Sequence, residues 1–552
     1  MEKNGKTLLS EIDPVRRAEK TADAVSVTDR TLYFCPSPIY GYGLSRILSR
    51  LETEAPSSAV LCVEADPELF NISLNNIDPL ILSNNKFRIT NIQNGESLYS
   101  FFDKAWGAMS FRKIETVKFT GGYQLFPELY ASLCDTLRRE IAANWSNALT
   151  LAKLGRLYIR NFLRNIASLT SFSFLEDLSF GSSPVLVLGA GPSLDDTLDA
   201  LQKAINREKP VRDCFKIICV DTCLGALKDR GIIPDLTVIL ESQHWNIFDF
   251  TGNSGWKIPA AVDLSSLPSS ANLLTGSGFL FFTPWTYLRI FERLKKSNLL
   301  PKVVSPLGSV GLTAVEIARR LTSGKIICAG IDFSFTADKY HARGTPGHRR
   351  RLNSQTRFKR LFNTTAFEES TITAVSKSGI NVHTSPIMKK YRDLFEQEFG
   401  GDPRVFDIEC AGSFAAGTGL PLGVKTLSID EFKKEFDHEP SRTRTNLNCA
   451  VEDQVRVKTE GFISGKKENI NVFYENEKKL LTELRGILTG EIKAEQGHLE
   501  ELISECDYLW AHFPDCAGRN QDSHKNFIAE KSFLKRVRAE IDPMLKLISH
   551  VI

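Results

Sequence analysis

A short stretch in the middle of the sequence has the residue types of an anion-binding turn. In SPVLVLGAGPSLDD an apolar run leads into the turn residues Gly189, Ala190, Gly191, Pro192 and Ser193. The glycines permit close approach of a ligand, the proline presets φ for a helix start, and the serine and the first helical N–H groups can bind an anion. Gly-Lys-Ser/Thr is absent, which excludes a P-loop. Asp195 and Asp196 disfavour a multiply charged phosphate, so the turn predicts a monophosphate or nucleotide site, or a capped helix start without ligand.

Polar residues also stand where later apolar runs end. Asp221 ends KIICVD, and Glu241 ends LTVILE one run further on. Carboxylates at such positions suit a ribose, a base or a metal ion, and Asp221 equally suits a structural cap. No Asp-x-Asp motif stands here, so a metal-dependent sugar-nucleotide site has little support. In SPLGSVG, Gly308 and Ser309 precede an amphipathic helix, which predicts a second anion site or a helix start that needs small residues.

Histidine, tyrosine and arginine are concentrated in the segment that follows. The run IICAGIDF contains Asp332 at its end, and the loop after it carries the basic and aromatic residues Tyr340, His341, Arg343, His348 and Arg349. Such a loop fits a lid over an anionic substrate, or an ordinary solvated face. In GINVHTSP, His383 stands just before a predicted helix. A histidine suits proton transfer near neutral pH, although a lone histidine is also often structural.

The elements that must position these residues follow from the pattern of the chain. Strand-like and helical runs alternate between residues 184 and 424, which predicts an α/β, doubly wound, mostly parallel sheet. Ligands of such sheets bind at the carboxyl ends of the strands, where all the segments above lie. The predicted layout is a flexible N-terminus at 1–27, an N-terminal α/β domain at 28–122, a helical connector at 123–182, a catalytic domain at 183–425 and a C-terminal helical domain at 426–552.

The N-terminal α/β domain contains a second glycine turn. Gly41 and Gly43 follow one apolar run, and Glu64 and Asp66 end the next, which is the layout of a dinucleotide-binding unit. The glycine pattern is a bare Gly-x-Gly crowded by prolines. The sequence therefore favours a structural α/β domain over a working nucleotide site.

Composition places the chain among ordinary globular proteins. It has 552 residues, a net charge of +3, 42% hydrophobic and 24% charged residues, and eleven scattered cysteines. An odd number of cysteines within apolar runs is typical of buried thiols in a reducing compartment. No apolar run reaches the ~18 residues of a membrane span, and no signal peptide or aromatic nucleic-acid platform stands out. We therefore expect a cytoplasmic protein without a membrane span or a nucleic-acid partner.

Taken in order, four of these segments resemble one family. The succession of Gly-x-Gly-Pro-Ser-Leu, a strand-end polar residue, Gly-Ser-Val before a helix and Gly-Ile-Asp-Phe resembles the motility-associated factor (Maf) flagellin glycosyltransferases. Two further stretches are similar to Maf sequences, namely NALTLAKLGRLYIRNFLRNI and AGIDFSFTADKYHARGT. The resemblance as a whole extends over residues 144–424. The central domain of that family is similar to bacterial lipooligosaccharide sialyltransferases. The resemblance implies a Rossmann-like, GT-A-like catalytic domain.

The activity that the resemblance implies is metal-independent transfer of a nonulosonic acid from its CMP donor to serine or threonine of flagellin, with no cofactor. The residues implied to contact the donor are Gly189, Ala190, Gly191, Pro192, Ser193, Asp221, Gly308, Ser309 and Asp332. His383 matches the general base of the sialyltransferases, and Tyr340 matches a tyrosine that stabilises the leaving phosphate. Arg343 or Arg349 would pair with the sugar carboxylate, with Glu241 at the substrate or acceptor.

Departures from the sialyltransferase pattern leave alternatives open. Ala190 stands in place of an asparagine and Ser334 in place of a second tyrosine, and His341 is a rival for the base. A pterin diphosphokinase, which needs ATP and Mg²⁺, has a similar turn. A third alternative is a non-catalytic protein that binds flagellin or assists its assembly. The helical segment after residue 426 is where we expect any self-association.

Overall fold

The protein folds as two compact units of mixed α/β structure. A computed structural model describes residues 1–107, 109–206, 214–336, 339–358, 360, 371–409, 419–435, 447–517 and 530–551. The first unit comprises Met1–Gly155 and Leu509–Arg536, and the second comprises Arg156–Tyr508 and Val537–Ile552.

The first unit is built on a parallel sheet in the order β5-β4-β3-β6. Its strands are β1 (Glu2–Lys3), β2 (Lys6–Thr7), β3 (Thr31–Pro36), β4 (Ala59–Val63), β5 (Phe87–Thr90) and β6 (Lys113–Thr116). Its helices are α1 (Pro14–Ala24), α2 (Leu44–Glu54), α3 (Pro67–Asn76), α4 (Pro79–Leu82) and α5 (Gly95–Trp106). Every residue of β3 and β4 is buried, as expected for central strands covered on both faces. The predicted N-terminal α/β architecture is therefore present.

Residues 1–27, which we expected to be flexible, instead contain β1, β2 and α1. Ala18 and Ala22 lie one helical turn apart on α1 and are buried in the same core cluster as Leu44 and Leu51 of α2. Asp13 caps α1 by accepting a hydrogen bond from the Arg16 N–H. These two small apolar residues hold the segment in the core. They were not recognised in the sequence because the rest of the helix is polar.

The glycine turn of the first unit is filled by the protein itself. The Glu64 carboxylate is buried and accepts hydrogen bonds from Ser37 Oγ at 2.6 Å and from the Tyr130 hydroxyl at 3.2 Å. Gly43 has φ +84°, and a Cβ there would lie 2.9 Å from the carbonyl oxygen of Ala18 in α1. The acidic residue that would bind a ribose is thus bonded internally, which agrees with the structural reading of this domain.

The second unit contains, within the described ranges, a nine-stranded parallel sheet. Its order is β17-β16-β13-β8-β9-β10-β11-β12-β7. The strands of this unit are β7 (Ser173–Phe174), β8 (Val185–Leu188), β9 (Lys216–Val220), β10 (Leu236–Ile239), β11 (Ala260–Asp263), β12 (Gly278–Phe281), β13 (Ile326–Ala329), β14 (Ile372–Val375), β15 (Asn381–Thr384), β16 (Val405–Glu409) and β17 (Lys425–Ser428). β14 and β15 form a separate antiparallel hairpin. The predicted mostly parallel α/β sheet is confirmed.

The strand order reverses between β8 and β13. From β8 the chain adds β9 to β12 on one side, then returns to place β13 on the other side of β8. The helices after the first five are α6 (Pro127–Ala167), α7 (Leu194–Asn206), α8 (Leu224–Asp229), α9 (Pro268–Ala271), α10 (Arg289–Lys296), α11 (Val310–Leu321), α12 (Pro346–Asn353), α13 (Pro386–Phe399), α14 (Ile429–Lys434), α15 (Leu447–Thr489), α16 (Gln496–Glu505) and α17 (Lys531–Val551). In open α/β sheets the crevice at such a reversal is the usual ligand site.

The helical segments do not form domains of their own. The predicted connector is largely one helix, α6, whose residues divide between the two units after Gly155. The predicted C-terminal domain also divides, because α15 and α16 cluster with the large sheet. Arg293 of α10 forms two hydrogen bonds to Glu477 of α15, at 2.6 and 2.9 Å. Among the described helices, none has both the length and the apolar composition that a membrane crossing requires.

The Arg293–Glu477 pair predicts a specific stability change. Glu477 has only 1% of its side chain exposed, so Arg293→Met leaves a buried carboxylate without its cation. We expect the free energy of unfolding to fall by about 3 kcal/mol, measured by urea denaturation. The matched control is Arg485→Met, which removes an exposed ion pair with Asp542. It should change the free energy of unfolding by less than about 1 kcal/mol. Equal effects of the two substitutions would contradict the structural role of the buried pair.

Candidate functional site

The turn between β8 and α7 lies at the reversal of the sheet and packs directly on the loop after β13. The Gly189 N–H donates to the carbonyl of Ala329, and the Gly191 N–H donates to that of Gly330, both at 2.8 Å. A Cβ on Gly191 would lie 2.6 Å from Oδ2 of Asp332. The two glycines therefore serve the approach of the β13 loop, and the turn is closed by the protein's own backbone.

Ser193 holds a carboxylate of the protein. Its N–H donates to Asp332 Oδ2 at 2.7 Å and its hydroxyl donates to Oδ1 at 2.5 Å, with both residues buried. The carbonyl of Asp332 also accepts from the Leu420 N–H at 2.9 Å. The sequence predicted Ser193 and Asp332 as separate donor-binding residues. The structure brings them together and uses them on each other, so the anion at the start of α7 is Asp332.

A buried charge cluster fastens the loop after Asp332 to α7. Lys339 forms an ion pair with Asp195 and donates from Nζ to the carbonyl of Pro192 at 2.9 Å. Asp195 also accepts from the Arg343 N–H at 3.0 Å and from Arg230 at 3.3 Å. The Arg343 side chain itself is 75% exposed. Lys339, which sequence reasoning did not single out, therefore orders the loop that carries Tyr340 and His341.

Two of the predicted catalytic residues, Tyr340 and His383, lie beside Phe335, and the third, His341, lies against Tyr340. The backbone of Phe335 exchanges two hydrogen bonds with that of His383 in β15, at 2.8 and 2.9 Å. The Phe335 ring centroid lies 4.5 Å from that of Tyr340 and 5.9 Å from that of His383, and Tyr340 lies 4.9 Å from His341. The guanidinium of Arg351 is 4.4 Å from the centre of the Tyr340 ring. Sequence reasoning missed Phe335 and Arg351, because neither matches a motif and their partners are distant in the chain.

Both histidines of this cluster have a ring nitrogen that can take a proton. Burial, together with the nearby cations Arg351 and His348, lowers the pKa of His341 to about 4, so its imidazole is neutral at pH 7. Nδ1 of His341 and Nδ1 of His383 are buried, and neither has a hydrogen-bond partner within the described residues. The cluster thus contains two candidate bases beside a tyrosine hydroxyl and a guanidinium.

Asp221 lies at the end of β9 but is committed to a neighbouring segment. It is buried and accepts from Asn246 Nδ2 at 2.6 Å and from the Thr222 N–H at 2.8 Å, and burial raises its pKa. The bonded segment, after β10, presents Trp245, which is 69% exposed and stacks on Phe248 at 5.8 Å. Asp221 therefore positions an aromatic ledge at the carboxyl edge of the sheet, which the sequence did not predict.

The remaining predicted residues lie along the same edge of the sheet. Glu241 and Gly308 line a cavity of about 260 Å³ at the carboxyl ends of β10, β11 and β12. Ser309 precedes α11 without a side-chain capping bond. Arg349 is ion-paired with Asp229 of α8, and the guanidinium of Arg343 lies 3.7 Å from Asp195. Arg343, at 75% exposed against 50% for Arg349, is the more accessible cation of that predicted pair. In the part of the chain that the structure describes, no group of three or more His, Cys, Asp or Glu side chains is placed to hold a metal ion.

Sequence comparisons relate the chain to one family model and to two proteins of one bacterium. A sequence model of the family described as 6-hydroxymethylpterin diphosphokinase MptE-like matches residues 160–338. The chain is 28% identical over 548 residues to an uncharacterized protein of Treponema pallidum (strain Nichols), covering 97% of this chain and 90% of that one. A second uncharacterized protein of the same organism is 29% identical over 105 residues, 18% of this chain and 47% of the relative.

Among solved structures, the chain is similar to the Maf glycosyltransferase from Magnetospirillum magneticum AMB-1. The TM-score is 0.51 at 14% sequence identity, and the match covers 98% of this chain and 84% of that one. At this identity the similarity shows the fold. The expected Maf-like fold is thereby confirmed over nearly the whole chain, and the family match at residues 160–338 includes both the turn and Asp332.

The Ser193–Asp332 contact predicts a measurable loss of stability. Ser193→Ala removes a hydroxyl that donates to a buried carboxylate, and should lower the free energy of unfolding by about 1.5–3 kcal/mol. Ser309→Ala is the matched control, since that serine also precedes a helix at this edge but makes no capping bond. Urea denaturation of both variants checks the prediction. A Ser193→Ala protein as stable as the control would disprove that this hydroxyl holds Asp332.

Asp249, beside Asp221, predicts a pH dependence. Burial, and then the Asp221 charge, raise the pKa of Asp249 to about 7. A carboxyl whose pKa is raised on folding stabilises the protein at low pH, and that contribution is lost as the pH rises towards the folded pKa. Relative to Asp249→Asn, the wild-type free energy of unfolding should therefore fall by about 1.3 kcal/mol per pH unit between pH 5 and 6, and by about half that slope at pH 7. A difference that stays flat over this range would contradict the raised pKa.

Proposed function

We propose that this protein is a glycosyltransferase that transfers a nonulosonic acid from a CMP-activated donor to serine or threonine hydroxyls of flagellin. The observation that carries the proposal is that Tyr340 and His383 lie beside Phe335, with His341 against Tyr340, on the loop that packs against the turn where the sheet order reverses. The fold similarity to a solved Maf glycosyltransferase along 98% of the chain supports it. A transferase of this kind needs a donor pocket, a proton acceptor and a group that stabilises the leaving phosphate.

The proposed donor site is the crevice at the carboxyl ends of β8, β9 and β13. The turn Gly189–Ser193 and Asp221 lie at these strand ends, and Gly308 lines the cavity at the carboxyl ends of β10, β11 and β12. Because the Ser193 donors are occupied by Asp332, we assign the departing CMP phosphate to Tyr340 and Arg351. These two groups supply a hydroxyl and a positive charge where negative charge develops, which is what stabilises a leaving phosphate without a metal. We assign the sugar carboxylate to Arg343, which is 75% exposed and lies 3.7 Å from Asp195.

The proposed reaction is a direct substitution at the anomeric carbon. The acceptor oxygen forms a bond to that carbon, the bond from the carbon to the phosphate oxygen breaks, and CMP leaves with the electron pair. The acceptor proton goes to an imidazole nitrogen, His383 in our assignment and His341 as the rival. Positioned general bases contribute roughly 10²–10⁴-fold to a rate. A cytoplasmic location and self-association through the C-terminal helices complete the proposal.

A second candidate function is pyrophosphoryl transfer from ATP to a pterin. The match of residues 160–338 to the 6-hydroxymethylpterin diphosphokinase MptE-like family favours it. That chemistry needs Mg²⁺ with ATP, whereas the proposed glycosyl transfer needs neither. The two candidates therefore differ in the nucleotide that stabilises the protein. A third, a non-catalytic flagellin-binding factor, would respond to flagellin and to no nucleotide.

Replacement of His383 tests the catalytic assignment. His383→Ala should reduce the rate of sugar transfer from a CMP-nonulosonate to purified flagellin by at least about 100-fold. The transfer is measured by intact mass spectrometry of the flagellin. CMP binding should persist, because the imidazole is assigned to the acceptor. The control is His498→Ala, an exposed histidine of α16 paired with Glu483, which should transfer at the wild-type rate.

The same proteins are then heated with CMP, UMP, GDP and ATP·Mg²⁺ in parallel. A ligand at one hundred times its dissociation constant adds about 2.7 kcal/mol to the stability of the unit that binds it. The variant His341→Ala is tested in the same way. If CMP stabilises the protein and only His341→Ala loses transfer, the general base is His341 rather than His383. Stabilisation by ATP·Mg²⁺ alone would favour the diphosphokinase, and no response to any nucleotide would leave the non-catalytic alternative.

A further inference from the structure

A cavity lies between α6 and α17 within the second unit. Its volume is about 690 Å³, inside the range of small-molecule sites. It is lined by the basic and apolar residues Arg156, Arg160, Arg164, Ala167, Pro543, Met544, Lys546, Leu547 and His550, and by Glu540. We call this cavity the arginine groove.

The wall of the arginine groove formed by α6 has more positive charge than the single carboxylate of the groove, Glu540, neutralises. Arg156, Arg160 and Arg164 are four residues apart, which places them one above the other on one helix face about 6 Å apart. Arg156 pairs with Glu540 at 2.9 Å. Within the described residues, no ion pair or hydrogen bond engages the guanidinium of Arg160 or Arg164. Like charges stacked on one face repel one another, so the arrangement favours an anion between them.

The floor of the arginine groove is apolar. Met544 and Leu547 of α17 are 4% and 8% exposed and lie one turn apart, with Ala167 at the end of α6. A site with an apolar floor and a few charged groups on one wall binds a ligand with an apolar body and an anionic head. Arginine, with its planar fork of donors, suits phosphate oxygens in two-point contacts better than lysine does.

The arginine groove is separated from the sheet edge by the body of α6. On another face of that helix, the buried side chains of Asn161 and Asn165 donate to carbonyls of the loops after β10 and β11, at 2.8–3.5 Å. Tyr158 of α6 lines the cavity that contains Glu241. The helix therefore presents one face to the carboxyl edge of the sheet and a different one to the arginine groove.

We propose that the arginine groove binds an organic diphosphate. The diphosphate head lies between Arg160 and Arg164, with Lys546 adjacent, and the body of the ligand lies on Met544 and Leu547. The groove has four cations, Arg156, Arg160, Arg164 and Lys546, against the single carboxylate Glu540, and two or three negative charges on the head match this excess. A nucleoside diphosphate and an isoprenoid diphosphate share this chemistry. The site is independent of the proposed transferase activity.

Titration calorimetry on the full-length protein tests the proposal with ADP, geranyl diphosphate and inorganic pyrophosphate as probes. We expect ADP or geranyl diphosphate to bind, and the better of the two to bind at least tenfold more tightly than pyrophosphate. Its affinity should fall at least tenfold in Arg160→Gln/Arg164→Gln. The control is Arg138→Gln/Arg139→Gln, two exposed arginines earlier on the same helix, whose affinity should match that of the wild type.

A lysine variant tests the role of the planar guanidinium. Arg160→Lys/Arg164→Lys keeps the charge without the planar fork and should give an intermediate affinity. Thermal unfolding shows whether both double variants fold. Failure of all three probes to bind, or binding unchanged in the glutamine variant, would overturn the proposal, and pyrophosphate binding as tightly as the organic probes would refute the apolar subsite. A CMP response that persists in the glutamine variant belongs to the sheet edge, so the fate of the transferase proposal is read independently.

Discussion

The candidate site depends on the bond between Ser193 and Asp332. It joins the loops that follow β8 and β13, the two strands between which the sheet order reverses. Asp332 begins the loop that continues through Phe335 to Tyr340 and His341, and Phe335 in turn holds the strand of His383. Because two donors of the turn are satisfied internally, a donor substrate meets a preformed surface and an already neutralised helix start. Recognition of the donor then depends on the side chains around the turn, such as Tyr340, Arg343 and Arg351.

The two glycine turns of the chain use the same device. Ser37 binds the buried Glu64 carboxylate in the first unit, as Ser193 binds Asp332 in the second. In the second unit the Asp332 carboxylate occupies the place that an anionic ligand takes at a helix start, whereas Glu64 of the first unit stands where a dinucleotide-binding unit has its ribose-binding acid. The two sites differ in what surrounds the turn. In the first unit α1 and Tyr130 close it, whereas in the second a loop with histidine, tyrosine and arginine lies beside it.

The sequence was sufficient for the sheet, because apolar strand runs alternating with helices have few solutions other than a parallel sheet. The sequence also predicted that the motifs lie at one edge of the sheet, since the carboxyl ends of parallel strands meet there. It did not predict which side chains hydrogen-bond to one another. Ser193 and Asp332 are 139 residues apart, and Asn246 reaches back 25 residues to Asp221. Such pairs follow from tertiary packing, which also divided the predicted C-terminal helices between two units through contacts such as Arg293–Glu477.

The helix α6 connects these conclusions. Its residues Asn161 and Asn165 are buried polar groups that would be costly if unpaired, and they are satisfied only when the loops after β10 and β11 hold their positions. The same loops supply Glu241 and the wall of the edge cavity. The arginines on a different face impose no such constraint, because no hydrogen bond or ion pair of the described residues holds the guanidinium of Arg160 or Arg164, and the one carboxylate near Arg160 is Glu540, which is paired with Arg156. One face of the helix thus fixes the shape of the proposed transferase site, while the other is left with charge that a ligand can neutralise.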